Sequence, residues 1–184
     1  MKRNVKVAFC ALMAALSTVF MLLSYFPYFT YAVPAFSGLL IMVVLIEVGG
    51  KWPIITYIVT SVLVFMFAET EAKLMYILLF GYYPAVKAYI ERIGNRFLQY
   101  LIKFAVFNEA VIVLYGVLAK VLGLDIIWQG EYGYLTAIAF LVLGNITFWL
   151  YDKVLVRMAA VYLSRIHPAV AKIFKNRLRI KDMC

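Results

Sequence analysis

The feature that most limits the fold lies near the middle of the chain, where KLMYILLFGYYPAVKAYIERIGNRFLQYLIK runs from Lys73 to Lys103. An apolar run from Leu74 to Val86 ends in a segment carrying Lys87, Arg92, Arg96 and Lys103, and a second long apolar run follows at once. This is the pattern of two membrane spans joined by a basic connection. Lys and Arg are retained on the cytoplasmic side of a bilayer, so the connection orients both of its neighbours.

The rest of the chain repeats the theme. Hydrophobic residues make up 66% and charged residues 15%, against about 45–50% and about 25% in soluble domains. In hydrocarbon every backbone N–H and C=O must be satisfied internally, which leaves a helical bundle or a closed barrel. The apolar runs are continuous rather than alternating, so they predict an all-α polytopic membrane protein. Six spans are expected, at about 7–26, 34–48, 52–68, 73–88, 99–122 and 133–151, with 152–184 a cytoplasmic helical extension and basic tail. Gly49 and Gly50 before Trp52 and Pro53 predict a tight turn between spans 2 and 3. Gly81 and Pro84 are expected to loosen or kink span 4, and Tyr89 to Phe97 to lie as an amphipathic piece along the inner surface. The amino-terminal run is longer than a signal-peptide core and reads as an uncleaved first span.

Charge fixes the direction. Of the eighteen Lys and Arg residues, only Lys73 and Lys120 fall outside in this scheme. Both termini are therefore placed in the cytoplasm and the chain in the cell membrane as a multi-pass protein. The net charge of +9 sits at span ends and in the tail. It points to anionic lipid headgroups as contacts and not to nucleic acid.

Catalytic patterns are missing: the chain has no HExxH, Walker A, GxSxG or CxxC, and its lone histidine, His167, precedes Pro168. No enzyme, metal site or cofactor is expected. The paired acids Glu69 and Glu71 read as a solvated rim. The polar residues that carry information are those buried by depth. Asn108 and Glu109 fall halfway along span 5 and Asn145 near the middle of span 6, so antiparallel helices bring them to a common level. Two readings stand: a solute pocket lined by these residues, or a helix lock in which Asn145 bonds a protonated Glu109. Tyr115 follows Asn108 on nearly the same face, and Tyr25, Tyr28, Tyr31, Tyr132 and Tyr134 ring that end. These aromatics serve either as stacking groups for a planar ligand or as an interfacial belt. In span 1, Ala8, Ala11 and Ala15 form a small-residue face that suits close approach of another helix, inside this chain or from a partner.

With its basic amino terminus entering KVAFCALMAALSTVF, its six spans and its short span 2/span 3 hairpin, the chain resembles the substrate-binding S components of the energy-coupling factor (ECF) importers. The stretch FGYYPAVKAYIER, Phe80 to Arg92, is similar to a motif of clostridial-type members of that group. The resemblance implies capture of a vitamin-like solute near the outer face, closed by the loop Pro27 to Val33. It also implies docking through Ala11 and Ala15 on a transmembrane coupling subunit that joins two cytoplasmic ATPase subunits. Metal-binding members carry an amino-terminal histidine motif, which MKRNVKV lacks, so nickel and cobalt are not expected. The competing class is a non-catalytic membrane scaffold in a cell-envelope or cell-shape complex, whose midplane polar groups only pack helices.

Overall fold

The computed structural model describes residues 3–26, 28–122, 133–168 and 170, and among them the only regular secondary structure is helical. Three helices are long and apolar enough to cross a membrane, at Arg3–Tyr25, Arg96–Val117 and Ile138–Ile166. The first, α1 (Arg3–Leu22), contains no Gly or Pro and runs into a short tighter turn at Leu23–Tyr25. Helices α2 (Ala32–Glu47) and α3 (Trp52–Phe67) are sixteen residues each, bounded by sequence punctuation. Gly49 and Gly50 take φ of +64° and +61°, the left-handed region where a Cβ is penalised, and the Gly49 N–H closes back on the Val44 carbonyl. Pro53 then opens α3 in its first turn, where its missing N–H does no harm.

The fourth apolar stretch is a broken helix. Helix α4 (Thr70–Met75) passes into a wide π turn at Tyr76–Phe80, a turn at Gly81–Tyr82, and α5 (Tyr83–Ile90). Pro84 explains the break: it has no N–H for the Phe80 carbonyl, and its ring crowds that oxygen in regular α geometry. The Gly81 N–H bonds the Tyr76 carbonyl at 2.8 Å, five residues back, and the Ile77 carbonyl accepts the Tyr57 hydroxyl at 2.7 Å. The Phe80 carbonyl faces Gly38 of α2 so closely that a Cβ there would lie 2.6 Å from it and 2.6 Å from the Tyr151 hydroxyl oxygen.

No separate surface helix follows. The expected amphipathic piece at Tyr89–Phe97 is instead the last turn of α5, a tight reversal and the start of α6 (Arg96–Leu122), which the Asn95 side chain caps by accepting the Phe97 N–H. Helix α7 (Gly133–Val161) continues through a π turn at Tyr162–Ile166. The tail from 171 and the loop 123–132, with Tyr132, lie outside the described residues.

Hydrogen bonds sort the helix ends into two groups. At one, the Tyr25 hydroxyl donates to the Phe67 carbonyl, joining the end of α1 to the end of α3, and the Tyr31 hydroxyl donates to Glu71, joining the start of α2 to the start of α4. At the other, Glu47 at the end of α2 accepts the Tyr162 hydroxyl at 2.8 Å, with His167 Nδ1 also at 2.8 Å. Side chains from α5, the start of α6 and α7 meet at that same basic end. Two apolar clusters fill the bundle: one around Met42, Tyr83, Phe107, Phe148 and Leu155, the other around Met21, Val33, Val64 and Tyr76.

Candidate functional site

The densest polar arrangement joins α5, α6 and α7 near the basic end. Tyr83, Lys87 and Glu91 repeat every four residues and so share one face of α5. That face meets Lys103 of α6 and Asp152 of α7. Lys87 Nζ pairs with Asp152 Oδ1 and, at 2.8 Å, with Glu91 Oε1. Lys103 Nζ bridges the same two acids, 2.8 Å from Glu91 Oε1 and 3.2 Å from Asp152 Oδ2. The Tyr83 hydroxyl donates to Asp152 Oδ1 at 2.7 Å. Lys87, Lys103 and Asp152 are only 7%, 4% and 5% exposed, while Glu91 reaches the surface.

Two cations against two anions make the group neutral, and each buried charge is hydrogen-bonded, which is the condition under which buried charge is tolerated. Burial acts to raise the Glu91 carboxyl pKa, but the two lysine ammoniums outweigh it and hold the pKa below its ordinary value. The network passes directly into an aromatic stack. Phe107 and Phe148 lie face to face at 4.4 Å, with Tyr83 edge-on to Phe148 at 5.0 Å. A groove of about 180 Å³ between α2, α5 and α7 opens beside it, lined by Met42, Leu45, Pro84, Lys87, Glu91 and Leu155. Among the described residues no three His, Cys, Asp or Glu converge as a metal cage.

From the sequence alone Lys87 and Lys103 count only as topology charges, and Asp152 raises no expectation. The signal was available: Asp152 is the one acid between Ile138 and Ile166, and it falls at the level where lysines accumulate.

Of the residues read from depth, Asn108 and Asn145 do meet. Each carboxamide donates to the other, Asn108 Nδ2 to Asn145 Oδ1 at 3.1 Å and Asn145 Nδ2 to Asn108 Oδ1 at 3.0 Å. Each also donates back along its own helix, to the Phe104 and Leu141 carbonyls. Asn145 therefore pairs with Asn108 and not, as expected of a lock, with Glu109. Glu109 is exposed on the next face of α6. Tyr115 is half-buried two turns beyond Asn108. A shallow open groove of about 380 Å³ runs past this level between Phe104, Val142, Asn145, Ile146 and Trp149.

Other expectations resolve locally. Ala8, Ala11 and Ala15 are exposed, while Cys10, Ala14, Ser17 and Met21 form the buried face of α1. Glu69 is not a free rim acid: its carboxylate accepts the Glu71 and Ala72 N–H groups at 3.3 and 3.2 Å and caps α4. The Glu71 charge, then burial, pushes the Tyr31 phenol pKa up. His167, the lone histidine, is held against Glu47. Tyr25, Tyr28 and Tyr31 are exposed at the opposite end.

Comparison of the chain with family profiles, with curated proteins and with solved structures gives no match.

Proposed function

We propose that the chain is a six-span membrane protein with both termini in the cytoplasm, and that it serves as the solute-binding S component of an ECF-type importer. The spans are α1, α2, α3, the broken Thr70–Ile90 segment, α6 and α7. The alternation of helix ends supports the count, and the clustering of lysines and arginines at one end supports the direction. Sixteen-residue helices reach about 24 Å against a hydrocarbon core of about 30 Å, a mismatch that local thinning of the bilayer accommodates.

The observation that carries the reading is the outward placement of Ala8, Ala11 and Ala15. Small residues four apart let a second helix approach closely, and in this chain that face of α1 is not used for internal packing. An interrupted helix flanked by short apolar segments is also a recurring feature of transport proteins. Asn108, Asn145 and Tyr115 are taken as the solute contacts. A solute there replaces the amide pair with bonds of its own. The separate coupling subunit and its two ATPases supply the energy.

Replacing Ala11 and Ala15 together by Leu is expected to stop copurification with a co-expressed coupling subunit and leave thermal unfolding unchanged, because neither side chain packs internally. Copurification at the wild-type level sinks the docking role. In the same preparation one member of a panel of water-soluble vitamins should raise the unfolding temperature, and no response to any member sinks the solute role.

A second reading, a scaffold subunit, is favoured by the Asn108–Asn145 pair. Its four donated bonds are made within the chain, as a simple helix lock requires.

A further inference from the structure

Among the described side chains of α6, Glu109 is one that lipid cannot satisfy. It stands thirteen residues from either end of the helix. Its side chain is exposed, and among the described residues it makes no hydrogen bond and no ion pair. A carboxyl group at that depth is costly in hydrocarbon, so such groups face a cavity or a partner. Asn108, beside it, already has its partner in Asn145.

The surroundings of Glu109 have the shape of a helix seat. Ala105, four residues before it, is exposed. Ile112 and Val113, three and four after it, are 66% and 47% exposed. Gly116, seven after it, has nothing within 4 Å of the position a Cβ would take. The stripe is thus small at both ends, apolar along its flanks and anionic at its centre. It also lies away from the alanine face, since α1 packs on α2 and α3 whereas α6 packs on the broken fourth segment and α7.

We infer that this face of α6 is an interface for a transmembrane helix of another protein that carries a Lys or Arg at the depth of Glu109. A cation at that level satisfies the carboxylate, and the small residues admit the backbone that brings it. A second copy of this chain fits less well. Lys87 and Lys103 are buried and paired, so neither can be presented to a neighbour. The inference is independent of the importer reading and concerns a surface which that reading does not use.

The test uses the full chain in phosphatidylcholine vesicles with a labelled leucine–alanine transmembrane helix bearing one Lys at its midpoint. Energy transfer on lipid dilution measures association. The Lys helix is expected to bind roughly tenfold more tightly than the same helix with Leu at that position, the scale of one interhelical polar contact. Glu109→Gln should erase the difference without moving the unfolding temperature, because no internal bond is lost. Gly116→Phe should weaken binding of the Lys helix with the carboxylate intact, and Val142→Phe on α7 should not. Equal binding of the two probes, or a preference that survives Glu109→Gln, overturns the inference. Glu109-dependent self-association at lower chain density than probe binding also overturns it, in favour of a second copy.

Discussion

The basic end of α5, α6 and α7 and the far half of α6 and α7 are built from the same helices but held by different means. At the basic end three buried charges, a half-exposed glutamate and a tyrosine hydroxyl bind three helices into one cluster backed by stacked aromatic rings. Beyond mid-depth the same two long helices share one reciprocal amide pair, and the six successive residues 138–143 of α7 are all exposed. Six residues cover more than a full helical turn, so no part of the described chain encloses α7 there. The bundle is clamped at one end and open at the other. The open end has room that the other lacks, while the clamp keeps the helices in register.

The sharpest way to break this contrast is to remove the acid at the centre of the clamp. Asp152→Asn leaves two buried ammoniums sharing one half-exposed glutamate, and a buried charge stripped of its partner costs about 3–5 kcal/mol. The unfolding temperature in detergent should fall further than for any substitution above the level of Phe148. Next in size is Gly38→Ala. Its new methyl meets the Phe80 carbonyl, which is backbone and cannot swing aside, so overpacking of about 1–3 kcal/mol is expected by denaturant unfolding. A neutral result would show that α2 and the π turn can slide apart freely.

Helix positions, the glycine turn and the weak point at Gly81 and Pro84 were legible in the sequence, because apolar length, Gly and Pro act locally. The clamp was not. Lys87, Lys103 and Asp152 are distant in the chain, and a lysine at a span end has two physical uses: holding topology from the headgroup layer, or pairing with an acid inside. Nothing short of knowing which helices touch decides between them. The Asn108 and Asn145 level was legible from antiparallel register alone. The identity of the partner was not, because Asn108 and Glu109 are neighbours about 100° apart on the helix, and an error of one position in facing exchanges them. Likewise the small face of α1 was visible as a pattern, but only packing reveals that Ala14 and Ser17 turn inward while Ala11 and Ala15 do not.

At the open end the effects should be smaller. Asn108→Leu or Asn145→Leu alone leaves one carboxamide without its partner and should cost about 0.6–1.7 kcal/mol, from the average to the maximum found for single interhelical polar contacts in a membrane protein. The double substitution should cost less than the sum of the two. A coupling energy near zero in that double-mutant cycle would mean that the pair does not join the helices. The contrast with Asp152→Asn is thus quantitative, since the same experiment is applied to the same two helices at two levels.

The smallest expected effect is the pH response of the clamp. The folded pKa of Glu91 lies below its ordinary value of 4.5. Its ion pairs therefore contribute in full above 4.5 and are lost as the pH falls through the lower, folded value. Exposure of Glu91 to solvent screens these pairs, so the contribution is modest. Wild-type chain should be more stable than Glu91→Gln at pH 7, and the two unfolding temperatures should converge as the medium is acidified past the folded pKa. A gap that stays constant from pH 7 to pH 3 would mean that Glu91 acts there by size and hydrogen bonding, leaving Asp152 alone to neutralise the two lysines.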